Sequence, residues 1–167
     1  KYNVKSADTY INVLEAAGII PDIKKRKAVL KKAIEACAKE HDARILEDDE
    51  LVNIVTNLVE FPFPVVGSFD DEFLEVPDEV LITAMREHQK YFALVDGNNN
   101  LKPLFIAVNN TNPKDMQLVA RGHEKVLRAR LSDAKFFYEV DCKSSLDEFT
   151  DKLKNVTFQE KLGSVYD

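Results

Sequence analysis

Apolar positions recur at helical spacing through the early part of the chain, then change rhythm. Tyr10, Val13, Leu14 and Ala17 follow Ser6 and Asp8 and stop at Gly18, which predicts a short helix with a glycine end. After Pro21, Ile23, Leu30, Ala33, Ile34 and Cys37 alternate with Lys24, Lys25, Lys27, Lys31 and Lys32, an amphipathic helix with a basic back. Residues 48–60 repeat the pattern with Leu51, Ile54, Val55 and Leu58, and their acidic first turn suits the positive end of the helix dipole. Residues 61–69 are apolar but broken by Pro62, Pro64 and Gly67, so they read as extended chain. Because proline removes ladder donors, an edge strand is expected there.

Pro77 opens the next predicted helix, with Asp78 and Glu79 in its first turn and Leu81, Ala84, Met85 and His88 on one face. Residues 91–95 and 101–109 bracket Asp96, Gly97, Asn98, Asn99 and Asn100, types that tolerate the left-handed backbone of a tight turn, so a hairpin follows. In its second arm Phe105, Ala107 and Asn109 face one side and Leu104, Ile106 and Val108 the other, as in a central strand covered on both faces. A long helix then runs to about Tyr138 with Met116, Val119, Ala120, His123, Leu127, Leu131, Ala134 and Tyr138 as its apolar stripe. Gly122 inside it implies close packing, since glycine costs about 1 kcal/mol against alanine in a helix. A last helix spans residues 146–153. The expected fold class is α+β, a mixed sheet with a hairpin, packed by several helices.

Composition bounds what such a fold can do. At 167 residues and 45% apolar, the chain can bury a sizeable core, and no window reaches the roughly 20 apolar residues of a membrane helix. The start lacks the apolar stretch of a secretory signal, and Lys1 in place of Met suggests a fragment of something longer. Cys37 and Cys142 are too few and too far apart for a disulfide framework, so a reducing, cytoplasmic setting is expected. The net charge of -6 is unevenly spread. Residues 1–45 carry ten basic and six acidic side chains (+4), residues 46–80 none and eleven (-11), residues 81–112 three and two (+1), and residues 113–167 ten of each. The middle therefore repels nucleic acid, and any phosphate contact must come from a flanking helix.

On the long helix Arg121, Lys125, Arg128 and Lys135 stand at offsets of four, seven and fourteen, a line of cations away from the apolar stripe. Such a line can track a phosphate backbone; equally, it can be a solvated face neutralised by Glu124, Asp133 and the acidic middle. Arg130 leaves the line and is expected in an ion pair at a core edge or between domains. The three histidines suggest no acid–base or metal centre. His41-Asp42 lacks further ligands, and His88 and His123 fall on apolar faces where satisfied core or interface residues are expected. No glycine spacing matches a phosphate-binding loop.

Residues 55–94 (VTNLVEFPFPVVGSFDDEFLEVPDEVLITAMREHQKYFAL), FIAVNN at 105–110, RGHEKVLRARLSDAKFFYEVD at 121–141 and FQEKLGSVYD at 158–167 resemble the β subunit of the bacterial-type glycyl-tRNA synthetase. Residues 1–45 resemble it more loosely, through KSADTYINVLEAAGI. The resemblance implies a noncatalytic piece from the amino-terminal half of that subunit, similar in fold to the editing-type module of phenylalanyl-tRNA synthetase. It implies three parts: a helical segment at 1–45, an α/β core module at 46–157, and at 158–167 a lead-in to a following domain. Its partners would be the α subunit, which activates glycine with ATP, and tRNA. No cofactor or metal is implied for this stretch and no catalytic residue. The candidate tRNA-binding residues Arg121, Lys125, Arg128 and Lys135 come from helical geometry alone.

Overall fold

A computed structural model describes residues 2–166. A 3-10 turn at Ala7–Thr9 leads into α1 (Tyr10–Ala16), followed by α2 (Ile23–Lys39), β1 (Arg44–Ile45), α3 (Asp49–Leu58) and β2 (Phe63–Ser68). A 3-10 turn at Asp71–Glu75, α4 (Asp78–Thr83) and a π-helical turn at Ala84–Gln89 precede β3 (Phe92–Val95) and β4 (Leu101–Asn109). The chain continues as α5 (Met116–Asp141), α6 (Leu146–Thr150), a 3-10 turn at Asp151–Asn155, and a small hairpin of β5 (Thr157–Gln159) and β6 (Gly163–Ser164). Each of the helices α2, α3 and α5 starts on an aspartate, Asp22, Asp48 or Asp115, whose carboxylate accepts the N–H of Lys25, Leu51 or Leu118. Such caps stabilise a helix by about 1 kcal/mol each.

The main sheet has the order β1-β3-β4-β2, and every neighbouring pair is antiparallel. This corrects the expected mixed sheet. β2 and β3 run parallel to each other, but β4 lies between them, so no parallel ladder forms. β3 and β4 form the predicted hairpin. Asp96 accepts the N–H groups of Asn98 and Asn100 with its carboxylate, and Asn99 (φ 67°) takes the left-handed position. β2 occupies an edge, where Pro64 faces Val108.

Both faces of the sheet are covered. Phe105 and Ala107 of β4 point into a cluster with Tyr91, Leu81, Met85, Leu127 and Leu131, beneath α4 and α5. Ile106, with Phe92 and Leu94, joins the opposite cluster of Leu30, Ile34, Ala38, Leu51 and Val55 from α2 and α3. Residues on both sides of position 45 thus share one core. Gly67 of β2 makes the first cluster possible. A methyl at its Cα would sit 2.4 Å from Phe105 Cζ, so only glycine lets the ring lie flat against the strand.

Two local expectations fail for physical reasons. His88 is exposed although Leu81, Ala84 and Met85 are buried, because the π turn inserts extra arc and rotates His88 off the 3.6-residue face. Gly122 is exposed, and a Cβ there would meet nothing within 4 Å, so no element of the described chain packs closely on it. None of the helices is long and apolar enough to cross a membrane, among the described residues.

Candidate nucleic-acid interface

The apolar stripe read along α5 meets the sheet as expected, with Leu127 and Leu131 fully buried and Met116, Val119, Ala120, Ala134 and Tyr138 packed beside them. That docking fixes where the cations go. Arg121 and Lys125 are exposed, and neither makes an ion pair among the described residues. Arg128 donates to Asp70 at 3.1 Å, and Lys135 lies 3.6 Å from Glu72 and 3.5 Å from Glu75. The four candidates are therefore on one helix but not equivalent.

Magnitudes separate them further. Both side chains of the Arg128–Asp70 pair are well exposed, 62% and 45%, and such a pair contributes about 0–1 kcal/mol, so a phosphate could displace the carboxylate at little cost. The Lys135 side chain is only 21% exposed and sits between two carboxylates. Its charge is committed to the acidic 3-10 turn. The open end of the line is Arg121 with Lys125. Arg130, expected in an ion pair, is exposed and makes none among the described residues, while Glu124 accepts from the Ser68 N–H at 2.9 Å and hydroxyl at 3.0 Å instead of pairing with a cation. The lysine back of α2 is partly spent as well, Lys25 on Glu15 at 2.6 Å and Lys31 on Asp49 at 2.7 Å.

His123 is a satisfied histidine, as its apolar face suggested. Tyr91 donates its hydroxyl to Nδ1 at 2.8 Å, and Nε2–H donates to Asn109 Oδ1 at 3.0 Å; Asn109 Nδ2 in turn donates to the Phe63 carbonyl at 3.2 Å. Burial pushes the Tyr91 phenol up to about 12 and pulls the His123 imidazole below its usual value, so both groups stay neutral near pH 7. The chain of bonds ties the entry to β3, the end of β4, the start of β2 and α5 together beside a cavity of about 290 Å³ lined in part by Val55, Leu58, Lys90 and Val126. A larger cavity of about 880 Å³ lies at the β1 edge, where Ile34, Ala38 and Val52 supply apolar wall and Lys31 with Asp49 is already paired.

His41 points Nδ1 at the Cys37 carbonyl, 3.1 Å away, and no group of three or more His, Cys, Asp or Glu side chains able to hold a metal occurs among the described residues. Cys37 and Cys142 are free thiols, and burial pushes Cys37 above its usual value, away from nucleophile behaviour. One hub had little signal in the sequence. Arg86 binds Asp48, Glu50 and Glu87 at once, anchoring the π turn to the start of α3. Only the acidic run around Asp48 hinted that a cation must come from elsewhere.

Comparison with known proteins places the chain in a family. The profile of the family described as glycyl-tRNA synthetase beta subunit matches residues 1–167, and the chain belongs to that family. It is 60% identical over 167 residues to the glycine–tRNA ligase beta subunit of Desulforapulum autotrophicum, covering 100% of this chain and 24% of that protein. It is 58% identical over 163 residues to the subunit of Desulfatibacillum aliphaticivorans (98% of this chain, 24% of the relative) and 44% identical over 165 residues to that of Ligilactobacillus salivarius (99% and 24%). The chain spans about a quarter of the length of the curated relatives it matches.

Proposed function

We propose that the chain serves glycyl-tRNA formation as a noncatalytic module of a glycine–tRNA ligase β subunit. It organises that subunit and lends tRNA a short cationic foothold, while glycine activation with ATP falls to the α subunit. The supporting observation is the pair Arg121 and Lys125, one helical turn apart, exposed and without an ion pair among the described residues. Two phosphate contacts give a salt slope of only about 1.4 to 1.8 in log K, so the foothold supplements tRNA affinity supplied elsewhere, and architecture carries the larger share. Free thiols at Cys37 and Cys142 fit a reducing, cytoplasmic setting.

Hydrolytic clearing of mischarged tRNA is the weaker reading. Tyr91 and His123, the pair closest to a general base, spend their polar atoms on each other and on Asn109. Glycine is the smallest amino acid, so larger ones are excluded sterically and a second sieve has little to remove. Kinship to an editing-type module would not alter this, because activity resides in the site.

The test is glycine charging by the intact β subunit with its α partner, comparing unaltered protein with Arg121→Ala/Lys125→Ala. A several-fold rise in KM for tRNA at moderate salt, with the rate of glycine activation unchanged, is expected. An unchanged KM at every salt concentration removes the tRNA contact and leaves the architectural role.

A further inference from the structure

α5 carries a second stripe that the described chain leaves largely exposed, Val126 bordering the cavity beside His123 and the rest standing clear of it. Leu118, Val126, Phe136, Phe137 and Val140 recur at helical spacing away from the core, with 60%, 44%, 59%, 61% and 38% of their surface exposed. Gly122 and Ala129 fall on the same stripe, and both are exposed. Nothing within the described chain calls for glycine at position 122: its surroundings are open and its φ is not positive, yet a glycine there costs about 1 kcal/mol of helix stability. A small residue at that point lets a second helix axis approach closely, since interaxial distance follows the side chains at the crossing.

We propose that this face seats an amphipathic helix from the part of the β-subunit polypeptide that lies outside residues 1–167. The inference rests on family membership, in which relatives are about four times as long as the matched stretch. It goes beyond the tRNA foothold, which uses other residues. Charge defines the occupant further. Arg130 beside the stripe and Asp133 within it are exposed and make no ion pair among the described residues, so the docked helix offers a carboxylate to the first and a lysine or arginine to the second. A phosphate backbone would meet Lys125 at one border of the row and Arg130 at the other, with only apolar side chains and Asp133 between them. A covalently linked helix also needs less contact area than a free partner, because linkage supplies an effective concentration on the order of millimolar.

Hydroxyl-radical footprinting of the full-length β subunit tests this on unaltered protein. With the denatured subunit as reference, the rings of Phe136 and Phe137 in the folded subunit alone should be oxidised at least about tenfold more slowly. Fast oxidation in the subunit alone overturns the inference, whether protection then comes with the α subunit, with tRNA, with rising protein concentration or not at all. A second measurement uses Val126→Glu, for which Phe137 protection should fall at least about threefold, and unchanged protection also overturns the inference. Should that variant not fold, the footprint of the unaltered subunit decides. Glycine charging and tRNA affinity are read separately, so loss of the tRNA foothold leaves this result standing.

Discussion

Phe105 lies across Gly67 so closely that a Cβ on the glycine would stand 2.4 Å from Cζ and 2.7 Å from Cε1 of the ring. The contact joins the edge strand β2 to the fully buried aromatic of β4 and fixes their register, Gly67 opposite Phe105. The ring has nowhere to move, since Tyr91 stacks on it with centroids 4.8 Å apart. Gly67→Ala is therefore expected to destabilise the chain by about 1–3 kcal/mol, the usual range for forcing extra volume into a filled core. Chemical denaturation followed by circular dichroism checks it; a shift under about 0.5 kcal/mol, the scale of neutral surface changes, would show that the ring can yield.

His123 makes stability depend on pH with a definite sign. Burial lowers its folded-state affinity for protons below that of the unfolded chain, whose imidazole titrates near 6.5. Well above pH 6.5 neither state holds the proton and stability is full. As pH falls through 6.5 the unfolded chain takes up a proton that the folded one refuses, and stability declines until the folded imidazole also titrates. Denaturation midpoints between pH 8 and 5.5 should fall in the acid half of that range. The slope should flatten in His123→Phe, and an identical slope in that variant would place its origin in another group. Tyr91→Phe leaves Nδ1 buried without its donor and should cost about 1–3 kcal/mol.

The cationic line predicts unequal substitutions. If tRNA contact runs through the open end of α5, Arg121→Ala and Lys125→Ala should each reduce the slope of log K against log salt by about 0.7–0.9. Lys135→Ala should leave that slope unchanged, because Glu72 and Glu75 already neutralise the amine. Filter binding of tRNA to the intact subunit between 50 and 200 mM salt, a range in which phosphate contacts are titrated out, measures all three. A loss at Lys135 equal to that at Arg121 would contradict the ranking drawn from the ion pairs.

Short-range patterns were legible in the chain, and long-range pairings were not. The inner stripe of α5, the asparagine-rich turn and the two-faced strand β4 follow from spacing alone, because side-chain periodicity directly reports which face is buried. The antiparallel order of the sheet is set by where β2 returns relative to β4, which no local signal carries. Arg128 meets Asp70 across 58 positions and Tyr91 meets His123 across 32, so a cation that reads as free in one dimension is paired in three. The π turn was invisible for another reason: its residues have ordinary helical propensity, and only Lys90, at φ 56°, marks where the helix leaves its track. The outer stripe of α5 was masked by the stronger inner one.

Adjacent residues on α5 offer the cleanest separation of its two faces. Leu127 is 0% exposed and sits among Phe105, Leu131 and their neighbours, so Leu127→Ala should cost about 2–5 kcal/mol through lost burial and the cavity left behind. Val126, one position earlier, is 44% exposed and its truncation in residues 1–167 should change stability by no more than about 0.5 kcal/mol. In the full-length subunit the same Val126→Ala change should become measurably destabilising, since a docked helix would bury the side chain that the shorter chain leaves in water. Thermal or denaturant unfolding of both lengths supplies the comparison. Equal, negligible effects of Val126→Ala in both would mean that water covers the outer face of α5 in the whole subunit too, and that the phenylalanines there have no protein neighbour.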